Sequence, residues 1–191
     1  MPNSRKINQL EKEIKRLKEL VYKDELTKLY NRRGFKEEAD KFIHEVITSK
    51  KYQEKRKSFL IKNFSLIVFD IDNFKKLNDT YGHEAGDQAL KLISQLILEK
   101  VREVDVVARW GGEEIVVGLV GASEVDAFKI ADDIRGKIER MKLKWRGKTI
   151  KFTISGGVAS FDKIKNFEEL FRKADKSLYE AKNSGRNIII K

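Results

Sequence analysis

Two stretches of this 191-residue chain put carboxylates where a sheet ordinarily carries apolar side chains. In FDID, residues 69–72, Asp70 and Asp72 close an apolar run; in GGEE, residues 111–114, Glu113 and Glu114 follow a glycine pair between two further apolar runs. A carboxylate at a strand end costs free energy to desolvate unless something pairs with it. By the two-residue period of a strand, Asp70 and Asp72 share one face. If the GGEE turn lies beside the end of FDID, three or four carboxylates converge, and such a cluster repels itself without a cation. The chain has two histidines and no cysteine, so the ligands are mostly oxygens, which favours a hard ion such as magnesium. The alternative is that these acids are ordinary solvated turn residues.

The elements that must hold these acids follow from apolar periodicity. FSLIVFDIDNF, residues 64–74, reads as a strand, and VDVVARW and EEIVVGLV read as the arms of a hairpin closed by a Gly-Gly turn. KDELTKLYNRRGF forms a turn into a helix whose apolar face is Phe35, Ala39, Phe42, Ile43 and Val46. A second helix runs from about residue 86 to residue 100, with Leu90, Ile93 and Ile97 on one face. Ser123 with Asp126 opens a third, whose stripe is Ala127, Ile130, Ile134, Ile138 and Met141. KTIKFTISGGVASF is a strand or a pair of strands, Asn166 with Glu169 caps a last helix, and NIII closes on a final strand. One hairpin among alternating helices and strands requires a partly antiparallel sheet.

Composition narrows the classes. A chain that is 40% hydrophobic and 37% charged can form one compact domain with a short extension. No run approaches the ~18 apolar residues of a membrane span, and MPNSRKINQLEKE lacks the apolar core of a secretion signal, so a cytoplasmic location is expected. The net charge of +11 suits nucleic acid, polyanionic small molecules such as nucleoside triphosphates, or solubility alone. Its densest cluster, KKYQEKRKSFLIK at 50–62, reads as a solvated connection, and nucleic acid is not expected as a partner. Ile7, Leu10, Ile14, Leu17 and Val21 follow a heptad pattern over two heptads, which implies either self-pairing or a helix packed on its own domain.

DELTKLYNRRGF, FDIDNFKKLNDTYGHEAGD, RWGGEEI and ADKSLYEAKNSGRN, in that order, resemble the signature blocks of the GGDEF domain of diguanylate cyclases. The resemblance covers about residues 22–191 and implies an α+β, ferredoxin-like palm of the nucleotidyl cyclase type, with a central, mostly antiparallel sheet flanked by helices. It divides the chain into an N-terminal coiled-coil or signalling helix, 1–22, and a catalytic domain, 23–191. The implied activity is condensation of two GTP into cyclic di-GMP with release of two pyrophosphates, in a homodimer whose two sites face each other.

By the same resemblance, Asp70, the carbonyl of Ile71, Glu113 and Glu114 hold two Mg²⁺ ions, with Mn²⁺ as a substitute, and Glu113 accepts the proton of the attacking hydroxyl. Asn78 and Asp87 read guanine, and His83 lies between them. The backbone amides of Phe74 and Lys75 and the side chains of Lys182 and Arg186 hold the triphosphate. Gly111 and Gly112 let the nucleotide lie against the backbone. Arg102 and Asp105 match an RxxD site at which cyclic di-GMP inhibits its own synthesis.

Two positions depart from the family pattern. Ile115 replaces the fifth signature residue, Phe, an apolar exchange expected to preserve packing. Lys28 replaces the glycine usual after DxLT. The competing reading, a catalytically silent cyclic di-GMP or GTP receptor, is opposed by the intact acids Asp70, Glu113 and Glu114.

Overall fold

The computed structural model describes residues 2–51, 61–162, 164 and 166–191, so most of the basic 50–62 segment lies outside the described residues. Two helices, α1 (Pro2–Tyr22) and α2 (Arg32–Lys51), lead into β1 (Phe64–Ile71), then α3 (Phe74–Tyr81) and α4 (His83–Lys100). The hairpin β2 (Val106–Arg109) and β3 (Glu114–Val120) follows, then α5 (Glu124–Arg140), a small hairpin β4 (Leu143–Trp145) and β5 (Lys148–Ile150), β6 (Ile154–Ser160), α6 (Phe167–Asn183) and β7 (Ile189–Ile190).

The main sheet runs β2-β3-β1-β6-β7, antiparallel except for the parallel pair β6–β7. This is the expected mostly antiparallel sheet flanked by helices. β1 sits at its centre with all eight residues buried, which is why FSLIVFDI reads as a continuous apolar run and not as an alternation. Ile67, Phe69 and Ile71 join Val117, Leu119, Ile93, Ile97 and Ile134 in one core, on the side of α4 and α5. Leu66 and Val68 join Val116, Phe35, Ala39, Leu170 and Leu178 in another, on the side of α2 and α6. Asp70 and Glu114 continue the second alternation, so both carboxylates open toward α6.

α6 lies directly on the sheet. A Cβ on Gly157 would stand 1.9 Å from the carbonyl oxygen of Ala174 and 2.3 Å from the amide nitrogen of Leu178. Any side chain there would lift the helix off β6.

Both expected caps form. The Ser123 hydroxyl accepts from the amide of Asp126, and the Asn166 side-chain oxygen accepts from that of Glu169. Ile115 is buried in the first core, as an apolar exchange requires. Several expectations need correction. α4 begins at His83, not near 86, and α3 and the β4–β5 hairpin were not expected. On α5, Ile130 is partly buried at the margin of the stripe and Met141, also partly buried, lies just past the helix as its C-cap, while Ala131 and Gly136 are buried. The heptad residues of α1 do not pack on the domain: Ile7, Leu10, Ile14 and Leu17 are each more than half exposed.

Candidate active site

The two carboxylate stretches meet. β1 and β3 are adjacent and antiparallel, and their register sets Asp70 opposite Glu114. Asp70 is buried and receives the Lys182 ammonium at 2.7 Å, delivered by the last turn of α6. Burial pushes the Asp70 carboxyl above its ordinary range; Lys182 works against that shift, while Glu113 and Asp72 add to it. Burial also raises Glu114, as do the charges of Asp70, Asp175 and Glu113. Three acids therefore repel one another around one lysine.

Asp72 does not join them. Its carboxylate accepts from the Thr153 hydroxyl at 2.6 Å, the Ser155 hydroxyl at 2.7 Å and the backbone amide of Asn187 at 3.0 Å. It lies beyond the end of β1 with three donors to satisfy it, and it ties that end to β6 and to the loop after α6. The cluster of three or four acids expected from spacing is thus reduced to Asp70, Glu113 and Glu114. Among the described residues, no group of three or more His, Cys, Asp or Glu is arranged to hold a metal ion.

The hairpin loop departs from a two-residue Gly-Gly turn. The strand register ends at Arg109 opposite Ile115, and Trp110 donates its amide to the Glu114 carbonyl, leaving residues 110–113 to make the connection. Gly111 and Gly112 both lack a positive φ, so turn geometry does not demand glycine at either. Space bears on Gly111 alone, where a Cβ would stand 3.2 Å from the Glu114 carboxylate; a Cβ on Gly112 would meet nothing, so the backbone there is open.

Two residues that carried no role in the sequence reading fix this loop. The Arg109 guanidinium donates to the Gly112 carbonyl from Nε at 3.1 Å and Nη2 at 2.9 Å, and pairs with Asp24 at 3.3 Å. Asp24 also accepts from the amide and hydroxyl of Thr27. Trp110 stacks on Phe171 of α6 at 4.6 Å, meets Phe35 of α2 edge-on and lies under the Arg32 guanidinium. The visible signal was the RW pair directly before the glycines.

Asn78 and Asp87 lie inside helices, Asn78 in α3 and Asp87 in α4, so neither serves as a turn asparagine or a helix cap. The side-chain oxygen of Asn78 is buried and has no hydrogen-bond partner among the described residues. It rests against Gly86, where a Cβ would stand 2.0 Å away. Gly86, one residue before Asp87, is a further requirement that the sequence reading missed. His83 is exposed at the first position of α4.

Phe74 and Lys75 open α3. Its cap, Asn73, is left-handed at φ 56° and makes no side-chain cap, so the first-turn amides lack an intrahelical or capping acceptor. Arg186 is exposed and Asn187 half-buried in a loop with two successive left-handed residues, held by the bond from the Asn187 amide to Asp72. Lys182 reaches Asp70, not open solvent.

At the far end of β3, the Asp105 carboxylate is almost wholly buried and accepts from the amide, Nε and Nη2 of Arg102 and from the amide of Val120. Arg102 Nη2 also donates to the Val120 carbonyl, and the rest of its side chain stays exposed. Asp105 thus orients an arginine that faces solvent.

A family model described as "Diguanylate cyclase, GGDEF domain" matches residues 21–188. Diguanylate cyclase DosC of Escherichia coli is 40% identical over 126 residues, 65% of this chain and 27% of the relative. Diguanylate cyclase DgcM of the same species is 34% identical over 184 residues, 93% of this chain and 41% of the relative. This chain therefore spans well under half the length of either relative. Among solved structures, the coiled coil and GGDEF domain of DgcB from Caulobacter crescentus, in complex with c-di-GMP, superposes with a TM-score of 0.87 at 25% identity, covering 99% of this chain and 95% of that one. Among the described residues, no helix is long and apolar enough to cross a membrane.

Proposed function

Because the chain belongs to the GGDEF domain family of diguanylate cyclases, we propose that it condenses two GTP into cyclic di-GMP with release of two pyrophosphates. The observation that carries this reading is the register of Asp70 against Glu114, with Lys182 drawn onto the pair. The donor set suits two Mg²⁺ ions, with Mn²⁺ as a substitute: it is oxygen-only, burial and neighbouring acids raise its Asp70 and Glu114 carboxyls, and a lysine ammonium already stands in as cation. Magnesium commonly takes one or two carboxylates and completes its shell with substrate phosphates, which agrees with the lack of a protein-only cage among the described residues. When bound, the ions supply charge neutralisation of the triphosphate and acidify the ribose 3′-hydroxyl.

The residues of the chain account for the rest. Asp70, the carbonyl of Ile71, Glu113 and Glu114 offer the ligands, and Glu113, on the loop held by Arg109, accepts the hydroxyl proton. Asn78 and Asp87 read the guanine edge, and the unpartnered oxygen of Asn78 is an acceptor awaiting a donor. His83 lines the mouth of the same pocket. The first-turn amides of Phe74 and Lys75, with Lys182 and Arg186, hold the triphosphate. The absent side chains of Gly111 and Gly112, the latter with open space before it, let the nucleotide approach the backbone.

Each site holds one GTP, so two copies must face each other, and the exposed heptad seam of helix 1–22 pairs them ahead of the catalytic domain, 23–191. Cyclic di-GMP restrains its own synthesis at Arg102 and Asp105, and the reaction takes place in the cytoplasm. Incubation with GTP and Mg²⁺, followed by chromatography, tests the reading. Cyclic di-GMP accumulates with the wild type and not with Glu113→Gln or without divalent metal; GTP turnover unaffected by that substitution would refute it.

A further inference from the structure

The turn that carries Lys28 opens onto the same cavity as the RxxD pair. A cavity of about 370 Å³ is lined by Lys23, Lys28, Leu98, Val101, Arg102 and Asp105, among others. Its cations are not equivalent. Lys23 is committed to the ring of Tyr30, with its ammonium 3.4 Å from the centroid. Arg102 is pinned by the buried Asp105 and by the Val120 carbonyl. Lys28 is exposed, and its ammonium has no hydrogen bond or ion pair among the described residues. Two acids line the cavity: Asp105 is buried and already consumed by Arg102 and the Val120 amide, whereas Glu103 is exposed to solvent.

Among the residues lining the cavity, the backbone sets the same one apart. Lys28 is left-handed, at φ 61°, with its amide donating to the Asp24 carbonyl at 2.9 Å. Glycine adopts that conformation freely and lysine adopts it at a cost. A lysine held in a glycine conformation gains nothing for the turn, whereas its side chain adds a free cation to a cavity that already presents an oriented arginine. Leu98, half exposed, and Val101 add an apolar wall suited to a purine face.

We propose that Lys28 is a third cationic contact for cyclic di-GMP in the RxxD cavity, where its ammonium meets a phosphate of the ligand while Arg102 holds another or stacks on guanine. The inference rests on the product-binding reading of Arg102 and Asp105 given above. It makes Lys28 a determinant of how tightly product is retained, with no part in the chemistry at Glu113.

The test is calorimetric titration of cyclic di-GMP into the full chain, as wild type and as Lys28→Gly, Lys28→Arg and Arg102→Ala, at two salt concentrations. Lys28→Gly is expected to bind about tenfold more weakly, the scale of one charge-assisted contact, with a shallower salt dependence and no loss of thermal stability. Lys28→Arg keeps wild-type affinity, and Arg102→Ala loses binding. Undiminished affinity in Lys28→Gly alongside lost binding in Arg102→Ala would overturn the role of Lys28 and leave the RxxD reading standing. Undiminished affinity in Arg102→Ala would overturn that reading, and the inference with it.

Discussion

Arg109 holds the carbonyl oxygen of Gly112 with two of its guanidinium nitrogens, at 3.1 and 2.9 Å, one residue before Glu113. Asp24 fixes the guanidinium from the other side. Glu113 therefore rests on a loop whose shape is set by a partly buried ion pair reaching back to the turn below α1. Arg109→Ala is expected to lower the rate of cyclic di-GMP formation by on the order of a hundredfold, since a displacement near 1 Å costs about that much. Asp24→Asn should cost less, because the Arg109–Gly112 bonds remain. Thermal melts showing both variants folded, alongside initial rates, make the comparison; a normal rate in Arg109→Ala would deny the loop this control.

Glu114→Gln should separate stability from activity. Burial and the neighbouring acids raise the Glu114 carboxyl above its ordinary value, so the folded chain binds that proton more tightly than the unfolded chain does. Stability from this group is fully present below the unfolded value and is lost as pH rises through the folded one. At neutral pH the ionised carboxylate is thus a net cost, and glutamine removes it. The variant is expected to melt a few degrees higher at neutral pH, with a gain that shrinks as pH falls into the carboxylate range, while cyclic di-GMP formation is lost. A neutral-pH melting point at or below that of the wild type contradicts this account.

How much of this was legible depended on range. β1 was visible because a central strand buried on both faces needs eight successive residues able to lie inside, and the caps at Ser123 and Asn166 are local patterns. The meeting of Asp70 with the hairpin acids followed from one assumption of adjacency, which the register bears out. The partner of Asp72 was not legible: Thr153, Ser155 and Asn187 are 81 to 115 residues away, and no periodicity encodes a contact of that range. α3 escaped notice because eight residues, only two of them buried apolar, give too little pattern to separate a helix from a turn. Gly-Gly suggested a two-residue turn, whereas the strand register ends at Arg109 opposite Ile115 and neither glycine has a positive φ.

Gly86→Ala is a conservative change with a large expected effect. The added methyl would stand 2.0 Å from the Asn78 side-chain oxygen and 3.0 Å from the Phe74 ring, inside any normal contact. Asn78 must move, and with it the proposed guanine acceptor. Alanine favours a helix interior over glycine by roughly 1 kcal/mol, which offsets part of the clash, so the fold should survive. The Michaelis constant for GTP is expected to rise about tenfold or more, approaching that of Asn78→Ala, with discrimination against ATP falling in parallel. Steady-state rates with both nucleotides measure it; wild-type selectivity in Gly86→Ala would remove Asn78 from recognition.

The exposed seam of α1 predicts a concentration dependence. Ile7, Leu10, Ile14 and Leu17 are each about half exposed, which is poor placement for four large aliphatic side chains on one helix face unless a second helix covers them. Two heptads alone are marginal in water, so pairing should be weak, strengthened by the nucleotides bridging the two sites. Leu10→Lys with Leu17→Lys puts like charges across that seam. The double variant is expected to sediment as a monomer where the wild type is dimeric, with the catalytic domain's melting transition unchanged. Its specific activity should rise roughly in proportion to protein concentration, because each turnover needs an encounter. Sedimentation velocity and rates over a hundredfold range of concentration decide it: specific activity independent of concentration, in a chain proved monomeric, would mean that one copy suffices and that the facing-sites reading is wrong.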